Sequence, residues 1–477
     1  MAVAMAAHAC TLSTQYKERP LSASPSASIS SPIAWRAVLS VLLSVFLVVM
    51  DVSIANVALP SLSHELQVSA ASSVWIVSIY QVAAAASLLP FAALGGHFSN
   101  RIVYISGLAM FLLCSLLCAL AQDFTTLVIA RFAQGLGASA VMAVNAAMLA
   151  QLFPLQRLGQ GIGWNALTVG IAFAAGPLVS ATLLTFADWR WLFLINLPLG
   201  GIALVGCLRY LPTSSSLPGS FRPLASLLCF LLFLCGGLAV VLYSQGQHNM
   251  YLSLSAAIAL LTALSLWWVE RGQSTPVVPV DLLKNPMFRL SNLTALFAFT
   301  TQASIFVALP FYFTHLMQMS ALHTGAMMTP WSAAVALMAP LVGRAADRWH
   351  PGPMGAVGFT LIALGITLFL LWHDSSSLIL VYMVICGVGF SLFQSPNQRA
   401  ILTSAPSQRR SAASGMVACV RLIGQCLGAG LTALCLLAGD QQGPVYALSL
   451  AIVLALLAAL CSGLRWRIRA TDPIATR

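Results

Sequence analysis

Residues 45–60 read VFLVVMDVSIANVALP. An unbroken apolar run leads up to Asp51, and the polar Ser53 and Asn56 follow within about one and a half helical turns. Extended back to Arg36, the run is long enough to cross hydrocarbon as a helix. A carboxylate at that depth is costly unless it faces a protein interior, so such residues mark ion or substrate pathways. The stretch predicts a membrane helix whose aspartate has a task.

The rest of the chain has the same character. Of 477 residues, 59% are apolar and 7% charged, against about 25% charged in soluble domains. Apolar runs of about 20 residues recur about fourteen times, the first starting near Arg36 and the last near Val445. They predict an all-α membrane protein. Residues 1–32, rich in Ser and Ala, read as a disordered tail. The tail lacks the apolar core of a signal peptide.

Loop charge gives an orientation. With alternating spans, 19 of the lysines and arginines fall on the side of the two termini and Arg190 alone on the other. That asymmetry predicts both termini in the cytoplasm and an even number of spans. It also accounts for the net charge of +11 without nucleic acid.

The eleven acids sharpen the question. Ten lie in tails, loops or span ends, and only Asp51 sits within a span, along with two arginines, Arg131 and Arg421. A structural partnership with an arginine is the bland reading of Asp51; a proton relay is the functional one. The eleven cysteines form no C-x-x-C and no metal-ligand spacing, and read as small buried hydrophobes. No metal site, catalytic dyad, nucleotide-binding loop or soluble signalling domain is legible, which disfavours an enzyme, an ATP-driven pump or a membrane sensor.

Three motifs carry a resemblance. The stretch VVMDVSIANVALP resembles the first-span signature of the fourteen-span drug:proton antiporters of the major facilitator superfamily. RFAQGLGASAVMAVN, residues 131–145, is similar to the superfamily's fourth-span motif, with Arg131, Gln134, Gly135 and Gly137 in place. DWRWLFLINLPLG, residues 188–200, is similar to a run found in the same family. The first loop motif is eroded, with Gly96 where its aspartate belongs and Arg101 at its end, whereas GRAADRWH retains Asp347 and Arg348 in the second half. The fifth-span antiporter motif keeps Gly176 and Pro177, and small residues there permit close helix approach.

The resemblance implies two six-helix bundles plus two extra central helices: residues 33–212, a linker pair and loop over 213–285, residues 286–468, and a short tail over 469–477. It implies a secondary transporter needing no cofactor, driven by a proton gradient and set in a bacterial inner membrane, with a periplasmic adaptor left open. Asp51 and Arg131 are its expected proton-coupling residues. Asn56, Tyr80, Gln81, Asn145, Gln302, Phe306, Gln394 and Asn397 are candidates for the substrate cavity. Gly96, Arg101, Asp347 and Arg348 are candidates for gating, and Gly135, Gly137, Gly176 and Pro177 for helix packing. His315, at a span end, reads as structural. The functional expectation is export of small amphipathic drugs, monocationic or neutral, in exchange for protons. The alternative is a narrow metabolite or sugar exporter on the same scaffold.

Overall fold

The computed structural model describes residues 33–154, 157–212, 222–246, 250–271, 273, 277–346, 348–373, 375–406 and 409–468. Both tails and Asp347 lie outside the described residues. Among the described residues fourteen helices are long and apolar enough to cross a membrane. In the first half these are α1 (Trp35–Glu65), α2 (Ala70–His97), α3 (Asn100–Leu120), α4 (Phe124–Leu152), α5 (Gln160–Phe186) and α6 (Trp191–Tyr210). Two further helices follow, α7 (Pro223–Ser244) and α8 (Met250–Glu270). The second half comprises α9 (Pro286–Leu316), α10 (Ala321–Ala345), α11 (Pro351–Leu371), α12 (Ser376–Ser404), α13 (Ala412–Gly439) and α14 (Gly443–Arg467).

Local chemistry sets the boundaries. In hydrocarbon the backbone must satisfy itself, which a helix does. Prolines open α7, α9 and α11, where a missing N–H costs nothing. The side chains of Asp123 and Asn285 cap the starts of α4 and α9 by accepting backbone N–H bonds. Small residues then let helices touch. A Cβ on Gly137 of α4 would lie 2.6 Å from the Phe111 amide nitrogen of α3, and one on Gly176 of α5 would collide with Ser53 of α1. Without a hydrophobic force between helices in lipid, such close backbone contact is what holds a bundle together.

The two six-helix bundles meet through α5 with α10, α2 with α13, and α1 with α9, while α7 packs on α2 and α8 on α7. Odd-numbered helices begin at the arginine-rich end of the molecule, here called the basic face. At the opposite face the halves are in close contact. Gly325 in the first turn of α10 sits against the Pro177 carbonyl of α5, and Phe306 of α9 stacks against Phe173 of α5, with ring centres 5.1 Å apart. Toward the basic face the packing loosens, as α5 shows: Ile162, Gly163, Trp164 and Leu167 are exposed, whereas Ala172 and Ser180 are buried.

Candidate functional site

Asp51 lies 16 residues into α1, about 24 Å from its basic-face end at 1.5 Å per residue. Its side chain and that of Arg131, seven residues inside α4, are both removed from solvent. Arg131 Nη1 donates to Asp51 Oδ2 at 2.6 Å and to Gln134 Oε1 at 2.7 Å. The second carboxylate oxygen, Oδ1, accepts from Gln134 Nε2 at 3.1 Å and from Asn196 Nδ2 at 2.9 Å. Both amides also donate to Ser115 Oγ, which in turn donates to the Phe193 carbonyl at 3.0 Å. Helices α4 and α6 converge on the carboxylate of α1, and α3 joins them through Ser115.

Helix geometry explains the convergence. Arg131 and Gln134 are three apart on α4 and so share a face. Asn196 lies where α6 breaks, just after the short turn Trp191–Leu194, and the break turns its amide inward. The Tyr80 ring stacks on the guanidinium with Arg131 Cζ 4.3 Å from its centre, and Arg131 Nε donates to the Ile76 carbonyl. The cluster is not saturated. Arg131 Nη2 and the Tyr80 hydroxyl are buried without a hydrogen-bond partner, and each such group costs about 1–3 kcal/mol. Removing one member of a buried ion pair typically costs about 3–5 kcal/mol, so the pair is held firmly until its charge changes.

A second buried arginine lies at the other end of the other bundle. Arg465, in the last turn of α14, is fully buried, although its sequence position reads as a loop cation. It donates to Asn397 Oδ1 at 2.5 Å, to Ser462 Oγ at 2.5 Å and to Ser291 Oγ at 3.2 Å. Asn397 Nδ2 donates to the Ser291 carbonyl, closing the link between α9, α12 and α14. Among the described residues this arginine has no carboxylate partner. Burial, with Arg465 as the second cause, holds the neighbouring His350 below the ordinary histidine range.

The remaining sequence candidates separate by location. Tyr80 belongs to the Arg131 cluster and Asn397 to the Arg465 cluster. Asn145 donates to Asn165 at 2.8 Å, tying α4 to α5. Asn56 and Gln81 are buried with side-chain oxygens lacking partners. Gln302 is buried, Gln394 is partly exposed, and Phe306 sits between Phe173 and Trp331. Arg101 donates to the Leu208 carbonyl, Arg348 is exposed, and Gly96 has open space around it. His315 lines a cavity of about 390 Å³ at the opposite face with Pro60, Ser63, His64, Gln67 and Val68. Sequence reasoning missed Ser115 and Asn196 as ligands of the carboxylate. Asn196 stood in the 188–200 motif, but nothing in the spacing said what it touches.

Comparison with known proteins agrees with this architecture. The Major Facilitator Superfamily profile matches residues 41–429 and, in an overlapping match, residues 291–473. The chain is 40% identical over 441 residues to the uncharacterized transporter YebQ of Escherichia coli, covering 91% of this chain and 96% of the relative. It is 28% identical to the riboflavin transporter RibZ of Clostridioides difficile, with coverages of 83% and 86%. It is 30% identical to the multidrug resistance protein Stp of Mycobacterium tuberculosis, with coverages of 81% and 73%. The chain belongs to the Major Facilitator Superfamily, a family of multi-pass membrane transporters.

Proposed function

We propose that the protein is a proton-coupled antiporter that exports small amphipathic compounds across a bacterial inner membrane, both termini facing the cytoplasm. The observation that carries this reading is the Asp51–Arg131 pair, the one ion pair within the spans among the described residues. A proton arriving at Asp51 removes the negative charge that Arg131, Gln134 and Asn196 all address. Two helices, α4 and α6, then lose their common acceptor on α1, and a bundle held by that acceptor can rearrange. Protonation is thereby coupled to helix packing, as alternating access about a central site requires. Resemblance to a multidrug resistance protein supports toxic amphipathic substrates.

The proton must reach a sealed group. The His64 and His315 cavity opens on the face where the halves are in contact, at the far end of α1 from Arg36. It offers a route from that side. In the reading, an external proton enters there and leaves to the cytoplasm after the cluster turns over.

The test is Asp51→Asn in proteoliposomes with an imposed pH gradient. Loss of uphill efflux with intact insertion and folding supports the proposal, and full uphill efflux by the variant refutes it. A second reading, export of a single metabolite, draws on the resemblance to a riboflavin transporter. Protection of an efflux-deficient bacterium against one compound, rather than several unrelated ones, selects it.

A further inference from the structure

Arg421 is, like Arg131, an arginine well inside a span, and the ion pair does not use it. It lies nine residues inside α13, about 14 Å from the start of that helix. Among the described residues it has no hydrogen bond and no ion pair, and it is partly exposed.

Its direction follows from its neighbours on the helix, at 100° per residue. Gly424 and Gly428 press against the α9 backbone at Leu296 and Thr300. Gly415 faces Leu89 of α2, and Cys426 clusters with Val82 of α2. Gly430 faces Val240 of α7, and Val420 joins the core of the second bundle. These contacts occupy every side of α13 except the arc between α9 and α2. Ser414, Arg421 and Gln425 fall on that arc, with Ala418 at its edge packed against the cluster of Leu88 and Leu89, and it looks into the space between the two bundles.

Exposure along the arc confirms the geometry. Ser414 is exposed, Ala418, Arg421 and Gln425 are intermediate, and Ala429 and Thr432 are buried. The space is therefore open toward the basic face and closed toward the opposite one. One turn from Arg421, Gly424 lies against Phe299. Phe299 packs with Phe390 and Phe393, with ring centres 6.0 Å away in each case.

The charge balance of the interior is decisive. Among the described residues Asp51 carries the only carboxylate away from the span ends, and three donors from α4 and α6 consume it. Its charge is cancelled by Arg131, which leaves Arg421 uncompensated. A cation without a partner in a low-dielectric cleft attracts an anion and repels another cation. Guanidinium presents a planar fork of donors that matches a carboxylate or phosphate.

We propose that Arg421 binds the anionic group of the substrate, with Gln425 beside it. The substrate class is then an amphipathic monoanion, not the monocation that a lone Asp51 suggested. This rests on the transporter reading above but not on its proton coupling.

Equilibrium binding to the full-length protein in nanodiscs tests it, using three probes that share one ring system: naphthoate, naphthamide and naphthylmethylammonium. Binding needs no gradient, so its outcome is independent of the Asp51→Asn result. The wild type is expected to bind naphthoate more tightly than the ammonium. Arg421→Gln should weaken naphthoate by about 10–100-fold, the range of a charge-assisted hydrogen bond, and leave naphthamide unchanged. Arg421→Lys should retain the preference for the anion, and Arg421→Glu should reverse it, which shows that the variants remain folded. Two results overturn the proposal: equal or tighter binding of the ammonium by the wild type, or equal weakening of naphthoate and naphthamide in Arg421→Gln, which would make Arg421 a partner in the conformational cycle.

Discussion

Among the described residues the two bundles each fully bury one arginine, and they satisfy it by different means. Arg131 meets a carboxylate, the Gln134 amide oxygen and the Ile76 carbonyl in the middle of the first bundle. Arg465 meets an amide oxygen and two hydroxyls at the basic face. The first cluster holds a group that a proton can discharge. The second contains, among the described residues, only partners that do not titrate in the accessible range. The difference teaches that burial and hydrogen bonding alone do not make a switch; a titratable acceptor shared by several helices does. On this reading the first bundle carries the coupling and the second carries a permanent clasp.

The largest effect expected from this contrast is on transport. Asp51→Asn should abolish efflux driven by a pH gradient, whereas Arg465→Met should preserve the pH dependence of efflux per folded molecule. Matched flux measurements on both variants break the comparison if Arg465→Met loses its proton dependence as well. Driving force comes next. One proton entering for each monoanion leaving moves two charges per cycle, so a membrane potential alone should drive naphthoate efflux, each charge contributing about 2.3 kcal/mol per 100 mV. A monocation would move none, and insensitivity of naphthoate efflux to a valinomycin-imposed potential would contradict that stoichiometry.

Stability sharpens the clasp. Arg465→Met removes the donor to Asn397 Oδ1 and Ser291 Oγ in the interior, at about 1–3 kcal/mol for each group. Thermal unfolding in detergent should show a clear loss, larger than that of Arg348→Met, whose side chain is exposed. Gly96 tests the eroded loop of the first half. A Cβ there meets nothing within 4 Å, so Gly96→Asp should change stability by no more than about 0.5 kcal/mol and leave flux near normal.

The smallest effect concerns Asp123, the cap of α4. Hydrogen bonds from the Thr126 backbone and hydroxyl hold its carboxyl below the ordinary carboxylate range. Its folded-state value is depressed, so its contribution is present above the unfolded value and fades as pH falls through the folded one. Asp123→Ala should therefore lower the melting temperature slightly at neutral pH and make no difference in strong acid. An equal decrement at both would show that the cap does not act through its charge.

Much of this was legible in the residues. The span count follows from apolar length because hydrocarbon admits few backbones but helices. The importance of Asp51 followed from its solitude among the acids. The pairing with Arg131 was a resemblance until the structure set the two side chains 2.6 Å apart. Ser115, Asn196 and Tyr80 could not be assigned, because they lie 64, 145 and 29 residues from Asp51 along the chain and meet it only through packing.

By itself, then, the sequence determined the solvent, the helices and the scarcity of charge, all of which depend on composition along one dimension. The tertiary structure alone decided which charges cancel. It sealed Asp51 against Arg131, turned Arg465 from a loop cation into a clasp, and left Arg421 facing the space between the bundles without a partner. Coulomb energy depends on distance and local dielectric, and both are set by how helices far apart in the chain come together.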